Sequence, residues 1–388
     1  MLSLACFALL PSAASAALFW SSGGVVSTPE AIGRAELDGS LVDPTFILLK
    51  EETEPAGVAV EGEYVYWTEF FGAIGRAKLD GSEVENAFIA VSGQVDGIAV
   101  DPGHIYWANI NSESIGRANI DGTGVDESFI KAAKLDELEA IDIAVDGNHV
   151  YWTNTDLKSI GRANMNGHGV EQEFVPGVGV PWALDVDSEH IYWANRDTGK
   201  AAIGRANLDG TGVDPSYIPL GAEPFGLVVD GVHVYWTSEA SSVARVGRAS
   251  LDGSEVEEAF IGGLAQGIGF LAAEVTPLAN ATPASLIFGS PTPVPQESIS
   301  PPQTVTYTNA GNLPLTISGF TLSGPDPDEF LTGTDTCREA LAPAASCTLQ
   351  VRFAPRAPGA ATATLTALTN AEVDPTTALS GIATSSPV

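Results

Sequence analysis

The sequence predicts an all-β protein in two parts, a six-bladed β-propeller over residues 17–274 and a two-sheet sandwich over 285–384. Three observations predict it. One phrase is written six times at intervals of 41 to 45 residues, each interval has room for four short strands, and after residue 274 the texture changes to Pro, Thr, Ser and Ala.

The chain opens with "LSLACFALLPSAASA" (2–16), a short apolar run ending in Ala14-Ser15-Ala16. That is the shape of a secretory h-region and its small-residue cleavage site, so residues 1–16 are expected to be a signal peptide and the mature protein to be exported. Apart from this run, no stretch is long and apolar enough to span a bilayer. With 49 acidic residues against 17 basic, the formal net charge is −32. Such a surface field repels nucleic acid and anionic membranes, which removes both as partners and leaves cations, basic proteins and neutral sugars. Of the three cysteines, Cys6 departs with the signal, leaving Cys337 and Cys347. An even number in an export product reads as one disulfide.

The repeated phrase is typified by "AIGRANLDGTGVDPSYI" (202–218), with its arginine at Arg34, Arg76, Arg117, Arg162, Arg205 and Arg248. Each unit runs from a small-residue strand such as "GIAVD" (97–101) to an aromatic strand such as "IYWAN" (105–109), then the Arg strand, a Gly-containing turn, and a strand ending in Phe-Ile. The first copy has its aromatic strand, "ALFW" (17–20), but no small-residue strand before it, whereas the sixth is followed by an unpaired one, "QGIGFLA" (266–272). Joined, the two make a complete last blade and leave no open sheet edge.

The aromatic strands read "FW" at 19, "YWTE" at 66, "YWAN" at 106, "YWTN" at 151, "YWAN" at 192 and "YWTS" at 235. In these residues the chain resembles the low-density lipoprotein receptor class B family, whose repeats carry Tyr-Trp-Thr-Asp and form six-bladed propellers. The resemblance covers residues 17 to about 274 and implies a fold of the YWTD/TolB-like kind. Every copy keeps the Trp, and none keeps the family's Asp, which becomes Glu69, Asn109, Asn154, Asn195 or Ser238. These replacements are expected to bond across blades. No epidermal-growth-factor-like module follows, so the receptors' endocytic role is not implied.

Each repeated Arg is followed nine residues later by an acid, Asp43, Glu85, Asp126, Glu171, Asp214 or Glu257, with an Asp-Gly or Asn-Gly pair midway. A hairpin centred there sets Arg against acid on neighbouring strands and predicts six cross-strand ion pairs, each worth about 0.2–1 kcal/mol if exposed. The repeated Trp20, Trp67, Trp107, Trp152, Trp193 and Trp236 are expected to pack between blades, as core. His104, His149, His190 and His233 share one repeat position. Equivalent residues on separate blades are spread around a ring, too far apart for the roughly 2 Å bonds of a zinc site.

A scaffold repeats, so function is sought where the pattern breaks. Alignment of the small-residue strands puts Ala56, Asp96, Ile141, Trp182, Phe225 and Gln266 at one position near the mouth of the central channel. Further in, Asp142 replaces a usual Gly and Asp185 a usual Ala. Trp182, Phe225, Asp142 and Asp185, with Asp96 beside them, form an aromatic-plus-acid patch suited to a sugar, a basic side chain or a cation. The alternative use of the same side chains is to plug the channel. An Asp142/Asp185 pair is also of a type that holds Ca²⁺, which would suit a propeller lactonase or lyase with a metal on its axis. No Ser-His-Asp arrangement, HExxH motif or phosphate loop accompanies it, and no catalytic residue or other cofactor is predicted.

Residues 275–284 read as an extended linker. Beyond it, "QTVTYTNAGNLPLTISGFTL" offers two alternating strands around a turn, and "CTLQVRFAP" and "ATATLTALTN" two more, in about 100 residues that suit an immunoglobulin-like sandwich. Through "TNAGNLPLTISGFTLSGPDPDEF", "CTLQVRFAPRAPGAATATL" and "ALSGIA", residues 285–384 resemble choice-of-anchor D and Hydin-type immunoglobulin-like domains. That family implies a spacer or adhesive module of secreted, often bacterial, proteins and a bridge at the positions of Cys337 and Cys347. Residues 385–388 are a tail. The function expected is non-enzymatic binding or adhesion outside the cell, of a protein or carbohydrate partner; the alternatives are an extracellular propeller enzyme and a structural envelope protein.

Overall fold

The computed structural model describes residues 16–23, 29–50, 53–110, 112, 114–131, 140–197, 199–240, 243–264, 268–274, 277, 279–289, 293–309, 315–342, 345–371 and 374–385. The signal-like segment 2–15 and Gln266 lie outside them. Contacts divide the chain into two units, 1–274 and 275–388.

Among the described residues the first unit holds six four-stranded antiparallel sheets. Five are continuous in sequence and span 55–90, 95–131, 140–176, 181–219 and 224–264, here blades 2 to 6. Blade 1 is completed from both ends: Ile268–Ala273 is its inner strand and pairs with Ala17–Ser22, followed by Ala31–Glu36 and Asp43–Leu48. The six inner strands touch in order, Ile268–Ala273, Pro55–Glu61, Val95–Val100, Ala140–Val145, Pro181–Val186 and Pro224–Val229, and the last returns to the first. The ring is therefore closed, a six-bladed propeller.

Successive residues of a strand point to opposite faces, and the Tyr-Trp pair uses both. Tyr106 packs with Trp152 of the following blade, while Trp107 packs back against Tyr66 of the preceding one. The same exchange joins Tyr151 to Trp193, and Tyr192 to Trp236. In the first seam Phe19 takes the Tyr role against Trp67. All six tryptophans are fully buried, between blades as expected. Each indole also lies flat on the Gly of the repeated phrase, its partner on the next strand: Trp20 on Gly33, Trp67 on Gly75, Trp107 on Gly116, Trp152 on Gly161, Trp193 on Gly204 and Trp236 on Gly247. A Cβ there would overlap the ring in every blade, which explains why the phrase is IGRA or VGRA and never carries a side chain at its second position.

All six Arg residues stand directly opposite their acids, with a bulge shifting the register one step further along the strand pair. Ion pairs, however, form only with the three glutamates: Arg76–Glu85 at 2.7 Å, Arg162–Glu171 at 3.2 Å and Arg248–Glu257 at 3.0 Å. The expectation of six pairs is corrected by one methylene. Asp43, Asp126 and Asp214 are too short to span the strands and instead accept the N–H of Thr45, Ser128 and Ser216, each at 3.0 Å. Their arginines turn elsewhere: Arg34 to Glu36, Arg117 to the Met165 carbonyl, and Arg205 to the Tyr217 hydroxyl. What all six share is an aromatic ring twelve residues on. Five guanidinium carbons sit 3.6 to 3.9 Å from the ring centroids of Phe88, Phe129, Phe174, Tyr217 and Phe260, and Arg34 sits 5.6 Å from that of Phe46.

The second unit has two sheets packed on one core of Phe288, Val305, Tyr307, Phe330, Phe353, Leu365 and Leu379. Gln303–Asn309 and Ile317–Ser323, read as neighbouring strands around a turn, join different sheets. The segment read as linker contributes a strand of its own, Ala279–Thr282, paired with Gln303–Asn309. A disulfide joins Cys337 to Cys347.

Gly161→Ala is expected to cost about 1–3 kcal/mol through collision with Trp152, whereas Gly262→Ala, with open space around it, leaves the thermal midpoint within a degree or two. Paired thermal melts check this, and equal effects at the two positions would contradict it.

Candidate functional site

The site is built on the starts of the inner strands, where a bulge separates each from its neighbouring aromatic strand. The bulge frees a backbone N–H, and the Thr of the aromatic motif captures it. Thr153 accepts the Asp142 N–H at 3.1 Å and donates to the Trp182 carbonyl of the next blade at 3.1 Å. Thr237 links Gly226 to Gly269 in the same way, and Thr68 links Gly57 to Asp96. The motif hydroxyl is thus a stitch between successive inner strands. Register places Gly269, rather than Gln266, at the blade-1 position equivalent to Trp182 and Phe225, because Leu271 pairs with Trp20 as Leu184 does with Trp193.

Asp142 and Asp185 extend this stitching. Asp142 accepts the Ile143 N–H at 2.9 Å and, across the seam, the Leu184 N–H at 3.0 Å. Asp185 accepts the Val186 N–H and the Val229 N–H of blade 6, both at 2.8 Å. That second seam is one where the motif has Ala194 in place of Thr, so Asp185 supplies the missing bridge. With each oxygen accepting a backbone N–H, these carboxylates act as braces between neighbouring inner strands. Among the described residues, no three His, Cys, Asp or Glu side chains come together as a metal site.

Trp182 and Phe225 are brought together, each partly exposed, but not as an open platform. Between them lies the guanidinium of Arg196, 4.3 Å from the Trp182 centroid and 4.1 Å from that of Phe225. Glu223 accepts its Nη2 at 3.1 Å. The backbone of Arg196 is held independently, its N–H donating to the Val180 carbonyl at 2.9 Å. Arg196 was missed in the sequence because it occurs once, in a connection outside the aligned strands; the signal available was a basic residue directly after "YWAN" on the blade that carries Trp182.

Burial raises the pKa of all three axial acids: Asp96 and Asp185 are each pushed up to about 7, and Asp142 well above the usual carboxylate range. For Asp142 and Asp185 the backbone N–H bonds oppose the shift, and the charges of Asp96 and Asp185 reinforce it at Asp142. No side-chain donor or backbone N–H opposes it at Asp96.

Two of the motif replacements, Asn109 and Asn195, make their hydrogen bonds within their own blade or the connection leading into it, where bonding across blades was expected. Asn109 accepts from Trp107 Nε1 and donates to the Glu127 carbonyl, and Asn195 accepts the Val180 N–H and donates to the Pro215 carbonyl. His104, His149, His190 and His233 close tight turns in which Asp101, Asp146, Asp187 and Asp230 accept the His N–H and the hydroxyl of Tyr106, Tyr151, Tyr192 or Tyr235.

No protein-family model and no curated protein matches the chain. Among solved structures it is similar to a chain of the nidogen/laminin complex, at 20% identity over 67% of this chain and 99% of that one, with a TM-score of 0.51. The fold is a β-propeller. TolB from Acinetobacter baumannii is similar at 16% identity, 67% and 66% coverage and a TM-score of 0.49. A catalytically inactive virginiamycin B lyase from Staphylococcus aureus with quinupristin is similar at 18%, 63% and 84%, and 0.45. At these identities the likeness is one of fold and does not choose between a binding protein and an enzyme. Among the described residues no helix is long and apolar enough to cross a membrane.

Asp96 binds its proton more tightly folded, near pH 7, than unfolded, near pH 4. The stability this contributes is full below about pH 4 and is lost as pH rises to about 7. Asp96→Asn is therefore expected to gain in thermal midpoint relative to the parent across that window and to keep the gain at pH 8. A difference that does not change with pH would contradict it.

Proposed function

We propose that the protein is an exported, non-enzymatic binding protein whose propeller engages an extracellular protein through the axial end where its inner strands begin. The observation that carries this reading is the break in the sixfold pattern. The repeated residues are consumed by the scaffold, Trp on Gly and Arg on aromatic ring within each blade and Thr between inner strands of successive blades. At the start of the inner strands, blades 5 and 6 alone among the described side chains at that position carry large aromatic rings, Trp182 and Phe225, and these are partly exposed. A scaffold requirement does not account for that asymmetry, and aromatic rings beside charged groups are the usual anchors of protein interfaces.

On this reading residues 1–16 are removed on export, by a bacterium, and the second unit is an immunoglobulin-like spacer or adhesive module. Its two sheets on a shared core and the Cys337–Cys347 bridge support that assignment.

The test is capture of partners from the surface of the producing cell by the immobilised full chain, compared with Trp182→Ala/Phe225→Ala matched to it by circular dichroism. A protein retained by the parent and at least tenfold depleted on the variant is expected. Equal retention by both would place binding elsewhere and overturn the reading.

A further inference from the structure

Arg196 differs from every other arginine that stacks in the propeller. The six repeated arginines lie on a ring from the outer strand of their own blade, whereas the Arg196 guanidinium carbon lies over rings from the inner strands of two blades. The slot it fills has two parallel duties. Trp182 and Phe225 offer π-faces to a planar cation, and Glu223, about half exposed at 47%, offers a carboxylate that also faces solvent. These are the elements of a guanidinium-binding site, already shown to fit by the group inside it.

The occupant is imperfect. Its Nε is buried with no hydrogen-bond partner, and its backbone is anchored independently of the side chain, through Val180 and through the Asp197 N–H on Asn195. Once it has left, the slot is an aromatic-walled, acid-tipped recess on a chain of net charge −32, a field that draws basic partners toward it.

We infer that the Trp182–Phe225 slot binds an arginine side chain of a partner protein, and that Arg196 is an internal stand-in which the partner's arginine displaces. The inference rests on the proposed function and specifies its chemistry. Planarity favours arginine over lysine, since an ammonium matches only the charge and not the two flat walls.

The test is calorimetric titration of N-acetyl-arginine methylamide into the full chain, into Arg196→Ala, and into Arg196→Ala carrying Trp182→Ala, with N-acetyl-lysine methylamide as the comparison probe. Arg196→Ala is expected to bind the arginine probe at least tenfold more tightly than the parent and several-fold more tightly than the lysine probe, and the added Trp182→Ala to abolish the gain. No gain on emptying the slot, or a gain that survives loss of Trp182, would overturn the inference. If partner capture depends on Trp182 and Phe225 while the arginine probe fails, the mouth remains the binding face and only its arginine specificity falls.

Discussion

The structure depends on the contact between a tryptophan and the glycine beside it. A four-stranded blade is apolar on both faces and has no core of its own, so it is stable only between two others. The indole fills that need on one face, the tyrosine of the same motif on the other, and the missing side chain of the glycine lets the ring lie close enough to its own sheet for the next blade to reach it. Repeating the arrangement six times produces a ring built on one kind of seam, and a ring must close. Closure comes from the pairing of Ile268–Ala273 with Ala17–Ser22, which ties the end of the propeller sequence to its start.

Much of this was legible. The period, the aromatic pair and the displaced inner strand identify the blades, their number and the way the circle is completed, because each is a local pattern multiplied by six. What was not legible turns on distances of one bond. Glutamate reaches across the hairpin to arginine and aspartate does not, so an alternation of acids that looks conservative divides six pairings into three ion pairs and three local turns. The arginines' common partner, an aromatic ring twelve residues later, is set by a bulge whose effect on register is not written in the hairpin pattern. Alignment of the closing strand by its glycines was shifted for a similar reason, since Gly269 rather than Gln266 takes the equivalent place.

The candidate site divides in the same way. The sequence singled out Trp182 and Phe225, which the structure brings together, whereas Asp142 and Asp185, grouped with them, accept backbone N–H groups of the neighbouring blade. Their elevated affinity for protons is a consequence of that burial. The charged group that does complete the aromatic pair is Arg196, which belongs to no repeat and becomes visible only when blades 5 and 6 are set side by side.

The central claim is that the blades stand or fall together because the ring is closed by one terminal strand. Leu271→Asp in the full chain tests it most directly, since Leu271 is buried opposite Trp20 in the closing pair and an unpaired carboxylate there is strongly destabilising. All seven tryptophans lie in the propeller, so their fluorescence during thermal unfolding reports on every blade. The account predicts one transition, shifted as a whole to lower temperature. A midpoint that does not move, or a small early step followed by unfolding of the remaining blades at the parent's temperature, would contradict it.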